Sequence, residues 1–551
     1  MMDFIDHHPG TYWLPAGAAL AWFVLLVLRS LGRARVATGE PDLRGDSLFL
    51  LSLFLLLFAV RWPYLTIGHE LGPDESQQLA GALTLAKDPV YWKAVDGHTS
   101  GPANFYVLTL PAWIGLPVDY ATGRTVALVL VFLTLAAGHQ LLRVLHGPDL
   151  ARLCLSTPAL FLALVPEWEF LHVSSEHLPM ALTAGGALGL AVAAARQTPS
   201  RWLAWGLAGL CFGLLPWSKL QAAPFGALGA LVGSWIWWRS RERAGARTDL
   251  TLWSCGLLGP GFFILGTVLI EGEWTTFLLS YVHGSRHYVG KGMNPWETAQ
   301  ELWRMTLLSP SYLILLLSTG ILAGVAAVLA RVRRVGGSPL ALPAVLALGC
   351  AGFCLLAPGR AFQHYLLLSL VPLTLALGAA LAVLWNSLRG RRLIYLVALP
   401  AALLVAQRAL KPAPYGMGQW QLLGRKPYTA VGEILAKGKA PGDTLSVWGW
   451  ASQYYVETGL PQATRDAHTQ RAIERNPARE QNRQRFLRDL RTGEPRWFVD
   501  AVGPGAFAFQ DRVSQGHESV PELRSYIARH YTLVSDLENA RVYRRRDDAG
   551  P

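Results

Sequence analysis

Residues 47–75 read SLFLLSLFLLLFAVRWPYLTIGHELGPDE. The stretch to Thr66 is long and apolar enough to cross a bilayer, whose core takes about 20 such residues per helix. Just beyond it Gly72 and Pro73 favour a turn. Two carboxylates, Asp74 and Glu75, then stand side by side. After them Leu79, Ala82, Leu83, Leu85 and Ala86 recur at helical spacing, which predicts an amphipathic helix suited to lying along a membrane surface.

The same apolar signal recurs along the chain. Spans are predicted near 13–31, 47–66, 122–143, 152–167, 177–195, 202–217, 221–238, 250–270, 308–330, 339–357, 364–386 and 392–410. The stretch 103–118 contains Asn104, Pro111 and Pro117 and is read as lying along the surface. Of 551 residues 52% are hydrophobic and only 16% charged. Residues 411–551 hold 21 Lys/Arg and 16 Asp/Glu, which is 37 of the chain's 86 charges, so the first 410 residues are poorer still. A water-soluble core cannot absorb that much apolar surface. Soluble enzymes, disordered proteins and disulfide scaffolds are thereby excluded.

The net charge of +12 does not point to nucleic acid, because the cations sit in short loops between apolar runs. Alternate loops carry Arg29, Arg33, Arg35 and Arg44; Arg143 and Arg152; Arg196 and Arg201; Arg239, Arg241, Arg243 and Arg247; Arg331, Arg333 and Arg334; and Arg389, Arg391 and Arg392. The opposite loops hold far fewer cations, among them Lys87, Lys93, Lys219, Arg286, Lys291, Arg304 and Arg360. Short arginine-rich loops belong in the cytoplasm. The expected architecture is therefore an α-helical polytopic membrane protein of about 12 spans, with both termini outside. Residues 67–121, 271–307 and 411–551 fall on the extracytoplasmic face.

Three regions follow: an extra N-terminal span with its cytoplasmic loop (1–46), a transmembrane catalytic domain (47–410) and an extracytoplasmic α/β domain (411–551). In the last, Asp443–Trp450, Arg496–Val502 and Arg541–Arg545 read as strands, and Thr469–Arg491 and Glu522–Tyr531 as helices. Cys154, Cys211, Cys255, Cys350 and Cys354 all lie in apolar segments without metal-site spacing.

A carboxylate at the lip of a membrane cavity can take a proton from a hydroxyl. The bland alternative is a solvated surface loop. Glu167 and Glu169, beside Trp168, are read as such solvated carboxylates, and Trp217, Trp235, Trp237 and Trp238 as an aromatic belt.

The acidic pair after a span resembles the GT-C superfamily of polytopic glycosyltransferases. Within it, the chain is similar to bacterial relatives of protein O-mannosyltransferases (glycosyltransferase family 39) and of the lipid A aminoarabinose transferase. Further motifs carry the likeness: HTSGPANFY (98–106), with one proline where two are usual after the position of His98; Arg124 in DYATGRTVAL; Glu176 in SSEHLPMALTAGG; Lys219 in PWSKLQAAPF; Arg360, His364 and Tyr365 in GRAFQHYLLLSLVP; and the tail GDTLSVWGWASQYYVETGLPQATRD.

The resemblance implies transfer of a sugar from a polyprenyl-phosphate-linked donor to a hydroxyl of a lipid, glycan or protein, with inversion. The active site then lies at the outer face of a bacterial-type cell membrane. Asp74 is the implied base and Glu75 its neighbour in catalysis. Arg124, Glu176, Lys219, Arg286, Lys291, Arg360, His364 and Tyr365 are implied to bind substrate, with His283 as a further cation. Asp74, Glu75, His98 and Glu176 show no ligand spacing, and no metal or other cofactor is expected. A lipid or polysaccharide transporter and a non-catalytic envelope scaffold are the competing readings. A transporter, however, puts ionisable groups at the bilayer midplane and often has internal repeats, and neither is visible here.

Overall fold

The computed structural model describes residues 9–33, 43–195, 200–333, 337–388, 391–410 and 428–547. Of the arginines used to read topology, Arg35, Arg196, Arg334 and Arg389 lie outside the described residues. Each predicted span is a helix: Trp13–Arg33, Leu43–Thr66, Tyr120–His146, Pro148–Leu164, His177–Ala195, Ser200–Ser218, Ala223–Arg239, Ala246–Ile270, Pro310–Arg333, Ala341–Leu356, Leu370–Ser387 and Arg391–Leu410. Among the described residues seven stretches are long and apolar enough to cross a membrane: Trp13–Ser30, Arg44–Thr66, Tyr120–His146, His177–Ala195, Ala246–Ile270, Pro310–Arg333 and Gln363–Ser387. Ala341–Leu356 and Leu396–Ala409 are shorter apolar helices. The chain is a multi-pass membrane protein.

The chain folds into two compact units. The first comprises Met1–Tyr64, Thr125–Leu265 and Ser285–Leu423. Leu370–Ser387 is apolar all round and buried along almost its whole length, as a central bundle helix must be. Ala246–Ile270 instead exposes Phe262, Phe263 and Ile270, a face suited to lipid. Where Ser200–Ser218 meets Ala246–Ile270, glycines permit backbone contact. A Cβ on Gly213 would lie 2.3 Å from the Leu257 carbonyl oxygen, and one on Gly256 2.4 Å from that of Gly206. Buried ion pairs fasten helix ends. Asp46 accepts from Arg152 Nη2 at 2.8 Å and forms an ion pair with Arg143 Nε at 2.7 Å, and Asp249 accepts from Arg201 Nε at 3.1 Å.

The second unit comprises Leu65–Arg124, Gly266–Gly284 and Gly424–Pro551. The 103–118 stretch forms two short helices, Pro102–Leu108 and Leu110–Trp113, too short to cross a bilayer. The C-terminal residues form a four-stranded sheet in the order β1-β2-β4-β3, with β1 Leu445–Gly449, β2 Trp497–Ala501, β3 Tyr531–Asp536 and β4 Arg541–Arg545. β1 and β2 are parallel, Val447 opposite Val499, and the other pairs are antiparallel. The parallel pair requires a crossover, which the Arg479–Gly493 helix supplies. Side chains alternate between two cores. Leu445, Val447, Trp497 and Val499 pack with Tyr454 and Tyr455, and Trp448 and Phe498 with Phe486, Leu490 and Ile527.

Three sequence readings of this domain change. The predicted 469–491 helix is two, Gln470–Ile473 and Arg479–Gly493, separated around Asn476–Pro477, where the residue before proline resists helical geometry. The helices Ala430–Gly438 and Gln453–Thr458 were not anticipated. Nor was β3, which exposes Leu533 and Val534 at the sheet edge and so lacks the usual alternation.

Candidate active site

The Pro73–Leu85 helix starts where it does because extended Gly72 (φ −161°) is its N-cap and Pro73 occupies the first turn. Asp74 and Glu75 follow in that turn, where unsatisfied N–H groups favour negative charge. Their environments then diverge. Asp74 is half-buried. Glu75 is completely buried, and its carboxylate accepts from Arg124 Nε at 2.8 Å, Arg124 Nη2 at 2.6 Å and the Leu71 N–H at 3.0 Å.

Arg124 is itself 1% exposed and also donates to the carbonyls of Ile67 and His69, both at 2.6 Å. Its guanidinium therefore sews residues 67–75 to the start of the Tyr120–His146 helix. With these donors engaged inside the chain, Arg124 clamps the segment that carries Asp74. Glu75 serves the same clamp.

Sequence reading passed over Glu70. Ser76 Oγ donates to its carboxylate at 2.5 Å and lies 2.8 Å from the Tyr120 hydroxyl. Burial pushes the Glu70 carboxyl up, the Ser76 hydrogen bond opposes this, and the Glu75 charge adds to the rise. The C-terminal domain reaches the same helix: Ala80 belongs to its hydrophobic core, and the Gln462 N–H donates to Thr84 Oγ1 at 3.0 Å. Glu457, on that domain's Gln453–Thr458 helix, accepts from the Thr429 hydroxyl at 2.8 Å.

Burial, helped by the Glu70 charge, raises Glu457 to about 7. The native state then binds more protons than the unfolded chain between about pH 4.5 and 7. Stability contributed by the protonated form is present below that window and lost as pH rises through it. Glu457→Gln is expected to flatten this fall in the thermal unfolding midpoint. An unchanged pH profile would show that Glu457 does not titrate there.

The transmembrane unit holds a second cluster. Lys219, just after the Ser200–Ser218 helix, donates to Ser175 Oγ at 2.8 Å and forms an ion pair with Glu176, which precedes His177–Ala195. Burial opposes ionisation of Glu176, but the Lys219 ammonium overrides it and holds the carboxyl below its usual range. The same ammonium lies 4.5 Å from the Tyr365 ring centre. The Tyr365 hydroxyl is 3.4 Å from that of Tyr288, over whose ring the Arg360 guanidinium sits at 5.2 Å.

His364 Nδ1 hydrogen-bonds Glu169, so Glu169 is a half-buried partner and not the solvated carboxylate expected from sequence. Among the described residues no carboxylate pairs with Arg360, and its Nε is buried without a hydrogen-bond partner, as are His287 Nε2 and Ser285 Oγ. Arg286 is exposed on the Gly284–Gly290 helix that carries Tyr288, and Lys291 is exposed just beyond it. His283 ends the π-helical turn Leu278–His283, a backbone irregularity frequent at functional sites.

Among solved structures the chain is similar to ArnT, the lipid A aminoarabinose transferase, from Cupriavidus metallidurans. Against ArnT bound to undecaprenyl phosphate the TM-score is 0.53, with 15% identity over 93% of this chain and 100% of that one. Against apo ArnT it is 0.52, with 16% identity over 91% and 99%. The chain has the GT-C fold. At this identity the likeness establishes the fold alone. No protein-family model and no curated protein matches the chain.

Within the GT-C fold eight of the sequence-predicted residues fall into the two clusters described, Asp74, Glu75 and Arg124 in one and Glu176, Lys219, Arg360, His364 and Tyr365 in the other, while Arg286 and Lys291 are exposed on and just after the helix that carries Tyr288. Glu70, Ser76, Ser175 and Tyr288 join them without having carried a sequence signal, since a hydroxyl or a lone carboxylate has no spacing rule. Among the described residues no three His, Cys, Asp or Glu side chains converge as metal ligands.

Proposed function

We propose that this GT-C protein is a glycosyltransferase that moves a sugar from a polyprenyl-phosphate-linked donor to an acceptor hydroxyl, with inversion, at the extracytoplasmic face of a cell membrane. The observation that carries this reading is Asp74, a half-exposed carboxylate next to the buried Glu75–Arg124 clamp. The undecaprenyl phosphate bound by ArnT supports the class of donor, and the arginine-rich loops support the assignment of the face.

In this mechanism Asp74 takes the proton of the acceptor hydroxyl as its oxygen attacks the anomeric carbon. The bond to the phosphate oxygen breaks on the opposite side, and the lipid phosphate leaves with the electron pair. Cations must meet that negative charge. By its charge Arg360 is the candidate for the task, because Lys219 is already neutralised by Glu176 whereas Arg360 has no carboxylate partner among the described residues. Lys219 then positions Tyr365, and Arg286 and Lys291 add positive charge along the approach. The acceptor is a lipid, glycan or protein hydroxyl. The test is transfer from a purified polyprenyl-linked sugar by the protein in proteoliposomes.

Arg360→Ala is expected to weaken donor binding and turnover together, since a phosphate contact exists before the transition state as well as in it. Losing one charge-assisted contact worth about 1.5–3 kcal/mol corresponds to a roughly 10- to 150-fold fall in kcat/KM. Unchanged donor affinity would remove Arg360 from the phosphate site.

A further inference from the structure

An aromatic cluster lies apart from both candidate sites. Trp450 directly follows β1, and Phe507 sits in the loop after β2. These are the carboxyl ends of the two parallel strands, the position at which open α/β sheets bind ligands. Trp450 stacks on His468, with ring centres 4.2 Å apart and planes 10° apart. Phe507 meets Trp450 edge-on at 5.4 Å, and His98 of the first outer loop meets His468 at 4.5 Å.

Three features exceed what packing requires. Phe507 is 63% exposed, an aromatic ring presented to water. His98 adopts a left-handed backbone (φ 59°), which costs a non-glycine residue energy and persists chiefly where a site needs it. His468 Nδ1 and Trp450 Nε1 are buried without hydrogen-bond partners among the described residues, and His468 as a whole is 2% exposed. Buried polar atoms of this kind are costly in the free protein and are satisfied when a partner reaches them.

The surrounding charge selects the ligand. Arg485 donates to Asp466 at 2.8 Å and to Asp96 at 2.9 Å, and Arg471 donates to Asp96 at 2.7 Å. Two guanidiniums are thus matched by two carboxylates. Burial, assisted by Arg471, lowers the His98 imidazole although Asp466 opposes it, and burial lowers His468. The two guanidiniums and two carboxylates balance in number. Flat rings beside unpaired polar atoms, without net charge, suit a ring whose faces are C–H and whose rim carries hydroxyls.

We infer that Trp450, Phe507, His468 and His98 form a binding site for a neutral saccharide on the C-terminal domain, where it holds a sugar of the acceptor. Only its identification with the acceptor rests on the glycosyltransferase reading.

The test is saturation-transfer NMR on the full-length protein in nanodiscs, with maltotetraose, chitotetraose and mannotetraose as neutral probes and glucose 1-phosphate as the anionic one. At least one neutral tetrasaccharide should bind. Phe507→Ala, which removes an exposed ring and so spares folding, should weaken it by about three- to tenfold. Trp450→Ala should abolish binding. The readout is binding and not transfer, so a failed catalytic reading leaves this result intact. Binding by no neutral probe, equal binding by Phe507→Ala, or Phe507-dependent binding of glucose 1-phosphate alone would each overturn the proposal.

Discussion

Asp74→Asn is expected to insert normally, reach wild-type abundance and transfer sugar about 10²–10⁴-fold more slowly. The substitution keeps the shape of the side chain and most of its hydrogen bonding, and removes only the capacity to accept a proton. At about 1.36 kcal/mol per tenfold, the loss is roughly 3–5 kcal/mol of barrier. Donor binding should persist, because a general base acts on the acceptor and has no bond to the lipid phosphate. The measurement is transfer in proteoliposomes at matched protein levels, beside donor binding to the same preparation. A variant that keeps more than about a tenth of wild-type turnover is outside the range of general-base loss, and the role of base would then pass to Glu70, a half-buried carboxylate held by Ser76. A transporter or scaffold would tolerate the change entirely.

Arg124→Met should act by another route. Glu75 and Arg124 are both almost wholly removed from water, and the guanidinium is the carboxylate's charged partner in the structure. Removing one member of such a pair strands the other charge, at a cost of about 3–5 kcal/mol. The carbonyls of Ile67 and His69 lose their donor at the same time. The unfolding midpoint in detergent should fall steeply, and abundance with it. Glu75→Gln combined with Arg124→Met removes the stranded charge and should recover much of the midpoint while transfer stays low, since the segment that carries Asp74 is still unfastened. A single Arg124→Met variant with a wild-type midpoint would show that the pair does not hold the loop.

The two variants separate what was legible in the chain from what was not. The position of Asp74 was legible because the signals that mark it are local: an apolar run ends, a Gly-Pro turn follows, and a carboxylate opens a helix. The partner of Glu75 was a different matter. Arg124 lies 49 residues away, Lys219 lies 43 from Glu176, and His364 lies 195 from Glu169. Periodicity reports only which neighbours share a face, so such pairs leave no trace in it. Arg124, Lys219 and His364 were singled out through family likeness, and Glu169 was misread because a carboxylate beside tryptophan in a loop looks the same whether or not a histidine lies above it.

By itself, then, the sequence determined the helical spans and the presence of an acidic pair at the end of one of them. The physical reason is that a bilayer offers backbone amides no hydrogen bonds, so every long apolar run must become a helix whatever its surroundings. The tertiary structure alone decided that Glu75 is spent on Arg124, that Lys219 is neutralised while Arg360 is not, and that Glu457 of the C-terminal domain is raised beside Glu70. Those outcomes depend on which charges meet in a place without water, where one opposing group within a few ångströms sets the role of another.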